Sequence, residues 1–256
     1  MATDKLAVVI VPGAWHVAEH YRPIVDDLSS AGHQVTVCDM PSCDSPKPLR
    51  GMSQDVAVIQ KAIQSYIDQN RNVALIMHSL GGVIGTAACE GYLPKDQSNG
   101  KGVVSLIYLA AFVATVGGSC WSAKGGAHAP WIDTTGEPGT GVYMFPRNDE
   151  TWDPREVFYN ACSAEQKEAA WAMCKRNHSE DVYHATVDYA AWREVESNYL
   201  LCEVDIAIPV EYQEAMSSHE GGKWKNVERV KADHAPFLSR PAETLAFVRR
   251  CVGQGV

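Results

Sequence analysis

Residues 73–88 read V-A-L-I-M-H-S-L-G-G-V-I-G-T-A-A, an apolar run that breaks at His78-Ser79-Leu80-Gly81-Gly82 and resumes as a stretch of small residues. The first part has the length and composition of a buried strand, and the second reads as a helix packed close to it. A polar residue on so sharp a strand-to-helix turn needs small neighbours, because the backbone folds back on itself. Gly81 and Gly82 supply that room. The turn also aims the helix N-terminus at Ser79, where free N–H groups and the positive end of the dipole favour a developing oxyanion. A capping serine alone would not call for paired glycines, so Ser79 reads as a nucleophile. Met77 stands where such turns usually carry their first glycine, which is tolerable if the facing helix is thin.

Working outward, short β-branched runs alternate with helical patterns. Strands are expected at 6–11, 34–39, 73–77, 103–109, 199–203 and, more weakly, 227–230. Helices are expected at 19–31, 53–69, 79–91, 209–218 and 241–252. In the second helix Val56, Ile59, Ile63 and Ile67 recur at spacings of three and four, one buried stripe, with Ser53 as its cap. This alternation predicts an α/β fold with a mostly parallel central sheet flanked by helices. The rhythm fails between about residues 114 and 196, where Gly, Pro, Trp and Met cluster. We read one domain over 1–256 with this stretch inserted as a cap. It holds Trp121, Trp131, Trp152, Trp171 and Trp192. Any one of these rings can serve simply as packing, but together, beside a reactive edge, they suggest a hydrophobic substrate chamber.

Serine is a poor nucleophile near neutral pH and requires a base and a group that orients the base. His234, in D-H-A-P-F-L-S-R-P, falls in a loop after the last strand and before the final helix. Asp205, in Y-L-L-C-E-V-D-I-A-I-P, falls just past a strand and before a proline that opens a helix. An acid there can accept the Nδ1 proton of the imidazole and fix its tautomer. Glu203 is the near rival, although it should lie within the strand. The segment after the fourth strand, Ala110-Ala111-Phe112-Val113, offers no carboxylate. A second oxyanion donor is expected from the tight turn V-P-G-A-W-H after the first strand, so the N–H groups of Ala14 and Leu80 are paired as the oxyanion hole. Trp15, Phe112, Trp131 and Phe237 are expected to line the substrate pocket.

The totals exclude other classes. A formal net charge of −9, with 22 Lys and Arg scattered along the chain, argues against nucleic acid and anionic membrane as partners. The N-terminal apolar run has six residues, too short for a signal peptide, and nothing approaches a membrane span. Eight diluted cysteines read as reduced thiols packed as small hydrophobes. Without C-x-x-C, H-E-x-x-H or a Walker-type loop, neither a metal nor a cofactor is expected. The expected partner is a small-molecule substrate, with a homodimer left open, in the cytoplasm.

The stretches V-P-G-A-W-H, A-G-H-Q-V-T-V-C-D-M-P, M-H-S-L-G-G, Y-L-L-C-E-V-D-I-A-I-P and D-H-A-P-F-L-S-R-P resemble the small α/β-hydrolases that include plant methylesterases and hydroxynitrile lyases. They frame nearly the whole chain except the cap. The order Ser79, Asp205, His234 is the order of that fold. The esterase members carry His-Gly where this chain has Pro12-Gly13. The hydroxynitrile lyases carry threonine in place of Gly13 and lysine directly after the histidine, where Ala235 stands here. Epoxide hydrolases and haloalkane dehalogenases of the wider superfamily place aspartate at the position of Ser79. The resemblance implies a serine hydrolase acting on an ester or lactone of a small, largely apolar molecule. Two further readings keep the same site: a lyase, cyclase or dehydratase of secondary metabolism, and a receptor-like protein that binds a ligand without turnover.

Overall fold

The computed structural model describes residues 5–135 and 141–253. Its nine strands among the described residues are β1 (Ala7–Val11), β2 (Val35–Val37), β3 (Val73–His78), β4 (Val103–Leu109), β5 (Ile132–Thr134), β6 (Tyr143–Pro146), β7 (His178–Ser179), β8 (Glu196–Cys202) and β9 (Trp224–Val230). The helices are α1 (Arg22–Ser30), α2 (Ser53–Asp68), α3 (Gly81–Ala88), α4 (Cys120–Ala123), α5 (Pro154–Tyr159), α6 (Ala164–Met173), α7 (Asp181–His184), α8 (Val210–Ser217), α9 (Pro236–Ser239) and α10 (Pro241–Cys251). No described helix is long and apolar enough to cross a membrane, and all eight cysteines are free.

Six strands form one sheet in the order β2-β1-β3-β4-β8-β9, parallel throughout. This is the mostly parallel α/β sheet that the alternation predicts. Every residue of β1 and β3 is buried, as expected where helices cover both faces and the strand reads as a continuous apolar run. At the edge, β9 buries only Val230 fully and exposes every second residue, which is why its sequence signal is weak. Val227 itself is exposed. On α2 the stripe Ile59, Ile63 and Ile67 is buried against the sheet, each side chain contributing roughly 2–3 kcal/mol.

Several boundaries differ from the sequence expectation. Ser53 is the first helical residue of α2 and Met52 precedes it as the cap. The stretch 19–31 starts as a short 3₁₀ turn, Ala18–Tyr21, and becomes α-helical at Arg22, with Pro23 in the first turn, the one place where a missing N–H costs nothing. Helix α3 begins at Gly81 because Ser79 has φ +53. The segment expected to lack strands carries β5, β6 and β7, paired antiparallel into a separate small sheet. Strands of two to four residues are too short for alternation to register.

From β1 the chain steps outward to β2 and then back to β3 on the other side. The carboxyl ends of β1 and β3 therefore meet at the point where the winding reverses, the customary place for a ligand crevice in an open α/β sheet.

Candidate active site

The candidate side chains all leave the sheet just past a strand's carboxyl end: Ala14 and Trp15 after β1, Ser79 and Leu80 after β3, Asp205 after β8, His234 after β9. Ser79 sits at φ +53, a left-handed conformation that costs an L-residue about 1–3 kcal/mol. What holds it there is its own carbonyl, which accepts from Gly82 N–H at 3.1 Å and Phe112 N–H at 2.9 Å. The two glycines are sterically obligatory. A Cβ on Gly81 would stand 2.5 Å from the Val11 carbonyl oxygen, and one on Gly82 would stand 2.1 Å from that of Phe112. The missing glycine at Met77 is balanced on α3, where a Cβ on Gly85 would lie 2.6 Å from Met77 Sδ.

On the β1 loop, His16 N–H closes the turn onto the Gly13 carbonyl at 3.2 Å, and the His16 Nδ1–H donates to the Ala14 carbonyl at 2.8 Å. Trp15 takes φ +64 within this turn. Among the described residues the N–H groups of Ala14 and Leu80 have no backbone or side-chain acceptor, and both residues border the cavity that Ser79 faces. Gly13 must be small: its Cβ would fall 2.7 Å from Ser79 Cβ and 2.8 Å from His78 Nδ1. Its N–H donates to the Tyr21 hydroxyl at 3.0 Å, Tyr21 O–H donates to His78 Nδ1 at 2.8 Å, and His78 Nε2–H donates to the His234 carbonyl at 2.8 Å. This directional chain ties three loops together. Burial pushes the His78 proton affinity well below the ordinary imidazole range, so His78 serves as a neutral link.

His234 is 2 % exposed and its Nδ1–H donates to Asp205 Oδ2 at 2.8 Å, which leaves the Nε2 lone pair free. Asp205 also accepts from Ile208 N–H at 2.9 Å and Gln213 Nε2 at 3.1 Å, so the buried carboxylate is well supplied with donors. Glu203, the rival acid, is exposed. The His234 loop is held by Asp233, which accepts from Ala235 N–H, Ala161 N–H and Ser239 Oγ.

Ser79 and His234 line one narrow cavity of about 20 Å³, together with Ala14, Trp15, Leu80, Phe112, Trp131 and Met144, with Ile132, Tyr183, Ala207 and Ile208, and with a lysine, Lys124. Among the described residues no hydrogen bond joins Ser79 Oγ to His234, and proton-transfer contacts of this kind commonly tighten only once substrate is bound. Trp15, Phe112 and Trp131 thus stand where the pocket was expected. Phe237 does not: it packs against Tyr21 at 4.7 Å and edge-on to His78 at 5.2 Å, because α9 turns its side chain back toward the sheet. Of the five insertion tryptophans, only Trp131 reaches the cavity. Trp192 is buried against Trp224, and Trp121 packs on His184.

Sequence reasoning missed Lys124, Met144 and Tyr183. Lys124 Nζ donates to the Ala207 carbonyl at 2.9 Å and lies 5.6 Å from the Trp131 ring centre. Burial, partly opposed by Asp205, lowers its proton affinity to about 8. A lone cation in W-S-A-K-G-G was the available signal, but its direction depends on how the insertion folds.

A model of the alpha/beta hydrolase family matches residues 8–247. The chain is 32% identical over 254 residues to the alpha/beta hydrolase nvfD of Aspergillus novofumigatus, covering 98% of each. It is 25% identical over 259 residues to methylesterase 7 of Arabidopsis thaliana, covering 94% of each. Among solved structures it resembles polyneuridine aldehyde esterase, with a TM-score of 0.72 and 22% identity over 97% of this chain and 98% of that one.

Proposed function

The chain belongs to the alpha/beta hydrolase family and is an esterase-like hydrolase, and from that premise we propose that it cleaves an ester or lactone of a small, largely apolar molecule through an acyl-enzyme on Ser79. The observation that carries this reading is the 2.8 Å bond from His234 Nδ1–H to Asp205, which presents Nε2 to the cavity that Ser79 shares. His234 Nε2 takes the Ser79 proton as Oγ attacks the carbonyl carbon, and Asp205 steadies the imidazolium. The free N–H groups of Ala14 and Leu80 receive the oxyanion, each donor being worth roughly 10²–10³ in rate. His234 then protonates the departing alkoxide. In the second half it activates the water that releases the acid and regenerates Ser79. The apolar walls supplied by Trp15, Phe112, Trp131 and Met144 favour a substrate whose non-reacting part is hydrophobic, and the Arabidopsis relative, a methylesterase, supports an ester as the reacting group.

The test is labelling with a fluorophosphonate followed by peptide mapping, together with hydrolysis in ¹⁸O-water. Label on Ser79 that is absent from Ser79→Ala, with one ¹⁸O in the acid product, is the expected result. Full turnover by Ser79→Ala, or product free of solvent oxygen, overturns the acyl-enzyme and favours a lyase, cyclase or dehydratase at the same site.

A further inference from the structure

Outside the cavity, the insertion gathers a second set of polar side chains. Glu180 caps the start of α7, His184 ends it four residues on, and His128 comes from the loop between α4 and β5. Both imidazoles turn Nε2 toward one carboxylate oxygen: Glu180 Oε1 lies 2.8 Å from His184 and 3.1 Å from His128. The three prospective donor atoms lie within 4.8 Å of one another. Zinc bonds of about 2.0–2.1 Å place tetrahedral ligand atoms roughly 3.3 Å apart, so small shifts suffice to seat an ion.

The Glu180 side chain is fully buried, and its ion-pair partners among the described residues are these two histidines alone. Its second oxygen, Oε2, is buried with no hydrogen-bond partner. A carboxylate removed from water without a permanent counter-charge is costly, and a divalent ion supplies that charge. Trp121 steadies both rings, at 4.9 Å from His128 and 4.4 Å from His184. A second histidine cluster, His16, His20 and Cys174, differs: its ring nitrogens are already satisfied by the Ala14 and Ala170 carbonyls, the Val17 N–H and the Tyr159 hydroxyl.

We propose that His128, Glu180 and His184 form a binding site for a divalent transition-metal ion of the zinc type, with the fourth position open to water. The site adjoins the reaction cavity without belonging to it. The His128 ring stacks on Tyr183 at 5.4 Å, and Tyr183 is part of the cavity wall. A bound ion therefore ties the loop carrying His128 to α7 and stiffens that wall.

Full-length protein stripped with EDTA and dialysed is titrated with zinc chloride by calorimetry and with cobalt chloride by absorption. One ion per chain is expected, with micromolar or tighter affinity. It should weaken at least about tenfold in His128→Gln, His184→Gln and Glu180→Gln, and persist in Cys174→Ser. It also persists in Ser79→Ala, which separates this site from the reading of the triad. The cobalt form shows no intense thiolate band. Circular dichroism establishes that the variants are folded, and His128 and His184 are exposed enough to tolerate glutamine. No binding in wild type, undiminished binding in the three ligand variants, loss of binding in Ser79→Ala, or a thiolate band overturns the proposal.

Discussion

The sulfur of Met77 fills the space a side chain on Gly85 would need: a Cβ there would stand 2.6 Å from Sδ and 2.8 Å from Cγ. The larger residue below the serine turn and the missing one on α3 form a single packing unit.

Gly85→Ala should therefore destabilise the protein by about 1–3 kcal/mol through overpacking. Met77→Ala alone should cost about 2–5 kcal/mol by leaving a cavity. The double variant should recover at least about 1 kcal/mol of the summed loss. Urea unfolding of the four proteins checks the cycle, and strict additivity would show that the two positions do not compete for space. Gly82→Ala has no such rescue, since its obstacle is the Phe112 carbonyl, and it should be worse than Gly85→Ala.

Asp205→Asn keeps the shape of the side chain but can donate to the imidazole and hold the wrong tautomer. We expect kcat to fall about 10⁴-fold, as in other triads, while Glu203→Gln stays within about twofold because Glu203 is exposed. Steady-state kinetics on a p-nitrophenyl ester decides the matter. Comparable losses in both variants would mean that Asp205 is not the orienting acid.

Lys124 places a cation in an otherwise apolar wall. For esters carrying a distal carboxylate, Lys124→Met should lower kcat/KM by about tenfold, equivalent to roughly 1.4 kcal/mol, and leave neutral esters near the wild-type value. Because burial brings this amine down to about 8, the wild-type preference for the anionic ester should fade as pH rises above that value. A preference unchanged between pH 7 and 9.5 would count against a charged Lys124.

His178, on β7, is buried and bonded to Ser42 Oγ at 3.0 Å. Burial brings its pKa from 6.5 to about 4. With the folded value depressed, the unfolded chain binds the extra proton first, so stability is whole above pH 6.5 and drains away as pH falls toward 4. At pH 5.5 this one group should cost about 1.4 kcal/mol. His16 and His78 are depressed in the same sense, so wild type should lose more than that between pH 7.5 and 5.5, and His178→Gln should lose about 1.4 kcal/mol less than wild type. Urea midpoints at the two pH values give the comparison.

The interior strands were legible because burial on both faces writes a continuous apolar run, as in β1 and β3. The turn at Ser79 was legible because only glycine fits against Val11 and Phe112, and that constraint appears directly as Gly81-Gly82. Asp205 and His234 were singled out by their offsets from strand ends together with the order that the resembled fold sets, and the structure brings them within 2.8 Å of each other. What escaped depends on chain folding at a distance. Lys124, Met144 and Tyr183 reach the cavity only through the packing of the insertion, where short strands carry no periodic signature. Phe237 misled for a related reason: three residues from His234 in sequence, it sits on a one-turn helix and packs against Tyr21 and His78.

Trp15 Nε1–H donates to the carbonyl of Met144 on β6 at 3.3 Å, and the Trp15 carbonyl accepts from Lys175 N–H at 2.8 Å. The residue next to Ala14 is thus stitched at both its ring and its backbone to the part of the chain that covers the reaction chamber. On the proposed mechanism, any motion of that cover reaches through these two bonds to the loop that carries the Ala14 donor.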